Sequence, residues 1–224
     1  MKLLIWDFDG TLGYREENFK TAWSTTAKEI LQEHHSEVPY SGGLLSSGFP
    51  WHTWENPHEN QHPDAYWSQI EQVYHQLFET LGLKEQALTL SKKVRGQFCD
   101  VNRWHSYPDS AHVLEALSQK GYVHVMLSNH VPELSTIVDH LGLGGFFDHI
   151  FNSGITGFEK PHPESYQMVL RKYPQAETVT MLGDNRKADV IEPGKHGIRG
   201  ILVRAVDTEL PCVPGLNHLL QGVL

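Results

Sequence analysis

The sequence has few cysteines, little positive charge and no long apolar run. Its 224 residues include only Cys99 and Cys212, too few for a disulfide framework and without the CxxC spacing of a cysteine zinc site. Lysine and arginine total 18 against 27 acidic residues, so clustered basic surfaces for nucleic acid or acidic membranes are not expected. No apolar stretch approaches the roughly 18–20 residues of a membrane span, and the short apolar start predicts no signal peptide. These absences predict a cytoplasmic enzyme or binding domain.

Short apolar runs alternate with helical periodicity along much of the chain. Residues Leu3 to Trp6 form an unbroken apolar run, as expected of a strand buried on both faces of a parallel sheet. After Trp104, strand and helix patterns alternate, which predicts an α/β fold with a doubly wound parallel-sheet (Rossmann-like) core. The later predicted strands are 123–127, 147–151, 179–182 and 200–203.

A helical stretch interrupts this core after its first strand. Apolar residues at helical spacing predict one helix from about Asn18 and another from Pro63 to Gly82. A weaker pattern runs from Ala87 to Phe98. The predicted division is a small all-helical cap domain at 15–103 and an α/β catalytic core at 1–14 and 104–224.

Polar side chains gather where the predicted strands end. Asp7 and Asp9 follow the first strand, and Ser128 follows the second. Lys160 and Asp184 come after later strands. Because the carboxyl ends of the strands form the ligand crevice of an open α/β sheet, we expect these side chains to converge there.

This set of side chains suits phosphoryl chemistry. Hard carboxylate oxygens suit Mg²⁺, which prefers one or two carboxylates together with water and substrate phosphate. An aspartate is normally ionised at neutral pH, so it can attack phosphorus without a base if the metal and Lys160 neutralise the phosphoryl oxygens. Asp9 can protonate the leaving oxygen and later deprotonate the attacking water, while Ser128 donates a hydrogen bond to the phosphoryl group.

Four segments at these strand ends carry a family resemblance. They are Asp7-Phe-Asp-Gly-Thr-Leu, Ser128-Asn129, Lys160-Pro-His-Pro and Gly183-Asp-Asn-Arg-Lys-Ala-Asp189. In this order they resemble the four successive motifs of the haloacid dehalogenase-like hydrolase superfamily. The helical stretch after the first motif is similar to the subfamily with a four-helix-type cap, and the resemblance covers essentially the whole chain.

The resemblance implies a role for each motif residue. Asp7 would be the nucleophile and a metal ligand, and Asp9 would be the general acid and base whose backbone carbonyl also faces the metal. Ser128 and Lys160 would hold the phosphoryl group. The implied Mg²⁺ ligands are Asp7, Asp9 and Asp184, with Asp189 in support or bound through water, and Gly10, Thr11 and Asn129 are further candidates for phosphate or substrate binding.

The implied activity is Mg²⁺-dependent hydrolysis of a small phosphorylated metabolite through an aspartyl-phosphate on Asp7, by a monomer or homodimer. Asp9 favours this activity over dehalogenation, because the carbon–halogen-cleaving members resemble one another in lacking that residue. Gly13-Tyr14 departs from the polar sequence common at this point in the family, so the resemblance does not define the cap hinge or its substrate contacts. The alternatives left open are a phosphomutase or phosphotransferase, a 2-haloacid dehalogenase, and a non-catalytic binding module on the same fold.

The loop from Tyr40 to Asn60 also leaves two interpretations open. Its aromatic segment, Phe49 to Trp54, either packs within the cap or forms a lid over the crevice. His58 and His62 have the spacing of helical metal ligands, but prolines flank the stretch, so a histidine metal site is not predicted. The candidates for contacts to a second anionic group of the substrate are Arg15, Arg95 and Arg103.

Overall fold

A computed structural model describes residues 1–16, 19–35, 37–45, 47–58 and 62–224. The strands, in chain order, are β1 (Lys2–Trp6), β2 (Gly13–Arg15), β3 (Trp104–Ser106), β4 (Tyr122–Ser128), β5 (Phe147–Asn152), β6 (Thr178–Gly183), β7 (Arg199–Val203) and β8 (Cys212–Val213). Six of them form a parallel sheet in the order β5–β4–β1–β6–β7–β8. This sheet confirms the predicted α/β fold.

Helices connect the strands and cover both faces of the sheet. They are α1 (Phe19–His34), α2 (Pro63–Thr80), α3 (Ala87–Ser91), α4 (Val94–Phe98), α5 (Ser110–Gln119), α6 (Leu134–His140), α7 (Ser153–Thr156), α8 (Pro163–Lys172) and α9 (Glu192–Gly194). A π-helical segment, Arg186–Ile191, leads into α9. Among the described residues, no helix is both long and apolar enough to cross a membrane.

Strand β1 is buried from both sides, as its apolar run predicts. Leu3 and Ile5 belong to an apolar cluster that includes Val169 of α8. Leu4 and Trp6 point to the opposite face, because side chains alternate along a strand, and belong to a second cluster. This double coverage holds β1 at the centre of the sheet and fixes where the chain emerges at Asp7.

The helical segment between β2 and β3 packs around a set of aromatic rings. Trp23 of α1 stacks on Phe98 of α4 with ring centroids 3.9 Å apart. Phe49 and Trp51 stack on each other, and Phe49 lies 5.3 Å from the Trp23 ring. Phe49 and Trp51 therefore pack within the helical segment, which is the first of the two interpretations of this loop. Trp54, in contrast, lies beneath Lys187, whose Nζ is 4.6 Å from the ring centroid.

The structure departs from the sequence pattern in three places. The weak helix predicted from Ala87 to Phe98 is split into α3 and α4. Strands β2 and β3, which the sequence analysis did not predict, pair as a short antiparallel ribbon where the chain enters and leaves the helical segment. Strand β8, also not predicted, adds to the edge of the main sheet. The predicted helix start at Asn18 and loop end at Asn60 lie outside the described residues.

Candidate active site

The predicted polar residues meet at the carboxyl edge of the sheet. We call this set the floor. Its members are Asp7, Asp9, Ser128, Lys160, Asp184 and Asp189. All except Asp189 line a cavity of about 700 Å³, and Asp189 lies beneath it in contact with Lys160. The sheet explains this convergence, because β1 lies between β4 and β6 and all three strands end at the same edge.

The Asp7 carboxylate is held by donors from three parts of the chain. Its Oδ1 accepts hydrogen bonds from the Ser128 hydroxyl at 2.9 Å and from the Phe8 backbone N–H at 2.8 Å. Lys160 Nζ lies 3.0 Å from the same oxygen. These contacts fix the orientation of the carboxylate, and the adjacent ammonium and hydroxyl are in place to hold an incoming anion.

Lys160 is a buried cation between two carboxylates. Its Nζ is 2.8 Å from Asp189 Oδ1, and only 5% of the residue is exposed. Burial lowers the pKa of Lys160, but Asp189 and Asp7 outweigh this effect and raise the pKa above its usual value. Burial raises the pKa of Asp189, and the Lys160 charge opposes that shift. Lys160 is therefore a fixed positive charge at the floor.

Asn129 holds the backbone of Lys160. Its amide nitrogen donates to the Lys160 carbonyl at 2.7 Å, and its amide oxygen accepts from the Lys160 N–H at 2.6 Å. Asn129 also lines the cavity. The sequence analysis assigned Asn129 to phosphate or substrate, which remains a prediction; the structure shows that its side-chain amide supports the Lys160 backbone.

Asp9 differs from Asp7 in how its carboxylate is hydrogen-bonded. Both of its carboxylate oxygens are buried, and neither has a hydrogen-bond partner within the part of the chain that the structure describes. Burial is the main cause that raises the pKa of Asp9 well above its usual value, and the charges of Asp7 and Asp184 add to it. His130 lies 3.6 Å away, and burial lowers its pKa to about 4. Asp9 is therefore the floor carboxyl best suited to carry a proton.

A tight turn after Asp7 brings Gly10 into the cavity. Gly10 has φ +73°, and a Cβ atom there would overlap the Asp184 carboxylate, so glycine meets both the backbone and the space requirement. Thr11 is fully buried and is not among the residues that line the cavity. Its carbonyl accepts a hydrogen bond from Arg204 Nε at 2.9 Å. The predicted phosphate or substrate contact of Thr11 remains a prediction.

The floor offers a set of oxygen ligands. Asp7, Asp184 and Asp189 each present a carboxylate oxygen, and these oxygens lie within 4.8 Å of one another. Hard oxygen donors of this kind fit Mg²⁺. Both oxygens of Asp189 are engaged, Oδ1 by Lys160 and Oδ2 by the Asn185 N–H, whereas the donors around Asp7 all contact its Oδ1. Asp7 and Asp184 are therefore the better-placed pair. The Asp9 carboxylate is not in this group. The sequence analysis predicted that Asp9 contacts the metal through its backbone carbonyl, and this remains a prediction.

One side of the cavity is formed by flat side chains that we call the wall. Its members are Tyr14, Tyr107 and Arg204, all of which line the cavity. The sequence analysis noted Tyr14 as a departure from the family pattern but assigned it no role. The sequence analysis did not identify Tyr107, which follows β3, or Arg204. Arg204 carries no sequence signal, because its position depends on a backbone φ of 55°.

The other arginine and histidine candidates are placed apart from the floor or are engaged elsewhere. Of the three arginines, Arg15 lines the cavity, while Arg95 pairs with Asp64 and Glu133 and Arg103 pairs with Glu29. His58 lies 3.3 Å from Glu159, and His62 accepts a hydrogen bond from the Asp64 N–H at the start of α2. In the described ranges, the acidic group at the floor is the metal-type cluster, and it contains no histidine.

Comparisons with known proteins agree with this architecture. Residues 1–192 match the family model of the haloacid dehalogenase-like hydrolases. The chain is 27% identical over 210 residues to a phosphoglycolate phosphatase of Aquifex aeolicus, covering 88% of this chain and 81% of that protein. It is 24% identical over 223 residues to a phosphoserine phosphatase of Thermus thermophilus, covering 91% of this chain and 88% of that protein.

Solved structures share the fold. A 2-haloacid dehalogenase from Pseudomonas syringae has a TM-score of 0.71 at 19% identity, with 99% of this chain and 97% of that chain covered. A putative β-phosphoglucomutase from Thermotoga maritima has a TM-score of 0.69 at 19% identity and the same coverage. Since the family model spans most of the sequence, this chain belongs to the haloacid dehalogenase-like hydrolase family.

Proposed function

We propose that this protein hydrolyses small phosphate monoesters in a Mg²⁺-dependent reaction that passes through a phosphoryl group on Asp7. The observation that carries the proposal is the convergence of Asp7, Ser128 and Lys160 beside carboxylates that suit the metal. The two relatives named as phosphatases support the same class of reaction.

In the first step, the Asp7 carboxylate attacks the phosphorus and a P–O bond forms. The bond from phosphorus to the alcohol oxygen breaks, and that oxygen keeps the electron pair and takes a proton from Asp9. The raised pKa of Asp9, caused mainly by burial, favours the protonated form that this step needs.

In the second step, water attacks the phosphorus of the aspartyl-phosphate while the Asp9 carboxylate accepts its proton. The bond between phosphorus and Asp7 breaks, which releases inorganic phosphate and restores the Asp7 carboxylate. Asp9 regains the proton that it gave to the alcohol, so protons balance over the cycle.

The remaining floor residues hold the charge that moves through these steps. The Lys160 ammonium and the Ser128 hydroxyl, both beside Asp7, are placed to bind the phosphoryl oxygens. Asp7 and Asp184 would hold Mg²⁺, which when bound supplies further positive charge against the phosphoryl oxygens. Asp189 keeps Lys160 charged and oriented.

The experiment is to measure phosphate release from a panel of small monoesters, with Mg²⁺ and with a chelator. The expected result is release in Mg²⁺ that falls at least about tenfold when the metal is removed. Phosphate transferred to an added sugar instead of water would indicate the phosphotransferase alternative. Folded protein that binds Mg²⁺ but releases no phosphate from any ester of the panel would overturn the proposal.

We further propose that residues 15–103 act as a cap on the core formed by residues 1–14 and 104–224. Trp67 and Arg95 of this segment contact Glu133, and the His58 N–H donates to the Gly157 carbonyl at 2.7 Å, which supports docking beside the Lys160 loop. Hydrogen exchange at residues 49–58 tests it: slower exchange with Mg²⁺ and vanadate is expected, whereas unchanged exchange would argue against a cap that responds to ligand.

A further inference from the structure

The wall of the cavity is a stack of flat groups. The rings of Tyr14 and Tyr107 have centroids 4.8 Å apart and planes tilted by 46°. The Arg204 guanidinium lies 3.6 Å from the centroid of the Tyr107 ring. Tyr14 also contacts the His105 ring, with centroids 5.6 Å apart. It lines the cavity and is 36% exposed, so part of its surface is open to a ligand.

Contacts behind the wall hold it in place. The Arg204 Nη2 donates to Asp109 Oδ1 at 2.5 Å, and Nε donates to the Thr11 carbonyl at 2.9 Å. Asp109 Oδ2 also accepts the Leu216 N–H at 3.0 Å. Arg204 is the one non-glycine residue with positive φ among those the structure describes, so this position is maintained against a backbone cost.

The cations around the cavity already have partners within the protein. Lys160 contacts Asp7 and Asp189, and Arg204 contacts Asp109. The Arg15 Nη2 donates to the Gln97 carbonyl at 3.3 Å, and its guanidinium lies over the Phe98 ring. A carboxylate on the organic part of a substrate would share these cations with their present partners, and Glu16 at the cavity would repel it.

The size of the cavity also favours a substrate with a larger organic part. Its volume of about 700 Å³ is in the range of roughly 300–1,000 Å³ that holds drug-sized ligands, more than a phosphoryl group with two or three carbons needs. Exposed tyrosine rings favour flat, apolar partners in tilted or offset contact. The space next to the floor therefore suits a ring.

We propose that the substrate is a phosphate monoester whose alcohol part carries an uncharged aromatic ring, and that this ring packs on Tyr14. Tyr107 and Arg204 act as positioning residues that hold Tyr14 in contact distance. This inference rests on the proposed function, because it takes the phosphoryl group to lie at Lys160. It makes Tyr14 a specificity-determining residue.

The test compares two unreactive ligands by calorimetry in the presence of Mg²⁺. Phenylphosphonate carries a flat ring, whereas phosphonoacetate carries a carboxylate of the kind found in small acidic esters. The proteins are the wild type, Tyr14→Ala and Tyr14→Phe, with Tyr122→Ala as a matched control. Tyr122 is a partly buried tyrosine at the start of β4, at the end of that strand away from Ser128.

The expected result is that the wild type binds phenylphosphonate about tenfold more tightly than phosphonoacetate. Tyr14→Ala removes that preference, while Tyr14→Phe and Tyr122→Ala keep it. Tighter binding of phosphonoacetate by the wild type, equal weakening of both ligands in Tyr14→Ala, or no binding of either ligand would overturn the inference.

Binding of these ligands does not depend on turnover, so the two proposals fail separately. Preferred binding of phenylphosphonate without phosphate release from any ester would overturn the proposed function and leave the ring contact standing. Hydrolysis of small acidic esters without a preference for phenylphosphonate would overturn the ring contact alone.

Discussion

The floor of the cavity is built on a buried ion pair of Lys160 and Asp189, with Asp184 exposed above it, whereas its wall consists of partly exposed flat side chains packed on one another. Lys160 and Asp189 at the floor are 5% and 0% exposed, and Tyr14 of the wall is 36% exposed. Four floor residues, Asp7, Asp9, Ser128 and Asp184, lie at or just after strand ends, whereas Lys160 follows α7 and Asp189 lies in the π-helical segment. The wall residues come from β2, the residue after β3 and the segment after β7. Under the proposed function, the floor carries the chemistry and the wall selects the substrate.

The largest expected effect comes from changing the nucleophile of the floor. Asp7→Asn keeps the size of the side chain but removes the charge that attacks phosphorus, so we expect kcat to fall by about a thousandfold or more. Phosphate release measures it, and circular dichroism checks the fold. Turnover near the wild-type rate would show that Asp7 is not the nucleophile.

Removing the buried cation of the floor should affect both activity and stability. In Lys160→Met, Asp7 and Asp189 would face each other without a counter-charge, at an expected cost of about 3–5 kcal/mol in the free energy of unfolding. Denaturant unfolding measures this cost. The matched control is Lys195→Met, because Lys195 forms an exposed pair with Glu192 and its loss should cost no more than about 1 kcal/mol. Similar losses in the two variants would contradict the account.

An intermediate effect is expected where the floor is positioned indirectly. Asn129→Ala removes both hydrogen bonds to the Lys160 backbone, so we expect kcat/KM to fall about 10- to 100-fold, with at most about 3 kcal/mol lost from the free energy of unfolding. Steady-state kinetics and unfolding curves measure both quantities. An unchanged kcat/KM would mean that Lys160 needs no such support.

The smallest effect on activity is expected for a buried titratable group away from the floor. His124 lies in the same strand as Ser128, where its Nδ1 accepts from Trp6 Nε1 at 2.9 Å. Burial lowers the pKa of His124 from 6.5 to about 4, so the folded protein holds it neutral. We expect His124→Gln, which can still accept from Trp6, to keep kcat/KM within about twofold of the wild type at pH 7.

The contribution of His124 to the free energy of unfolding depends on pH. The unfolded chain binds a proton at His124 below about pH 6.5 and the folded protein does not, so this contribution to stability is lost as pH falls from 6.5 to 4. Between pH 7 and pH 4.5 we expect the free energy of unfolding of the wild type to fall by about 2–3 kcal/mol more than that of His124→Gln. Parallel curves for the two proteins would contradict the assignment of a neutral, buried His124.

The sequence predicted the floor better than the wall for a physical reason. Asp7 and Ser128 directly end apolar runs, and parallel strands end at one edge, so pattern alone brings them together. Strands β2 and β8 have three and two residues, too short to show a period. Arg204 depends on a backbone angle and on Asp109, which is distant in sequence. Residues of the wall therefore carry no local signal.

The side chain of Asn129 shows a second limit of sequence reasoning. Its place after Ser128 predicted a polar group at the cavity, and Asn129 does line it. Its partners, the backbone N–H and carbonyl of Lys160, lie 31 residues away. A motif thus locates a residue at the site without saying which atoms it contacts.

The most direct test of the central claim is to trap the phosphoryl group on Asp7. In Asp9→Asn, 4-nitrophenyl phosphate can still react, because its leaving group departs as an anion, but the second step lacks its base. After acid quenching, mass spectrometry of the peptides should find one phosphoryl group per protein on the peptide containing Asp7, and none in the Asp7→Asn/Asp9→Asn double variant. A phosphoryl group on another residue, or nitrophenolate released without any adduct, would contradict the account.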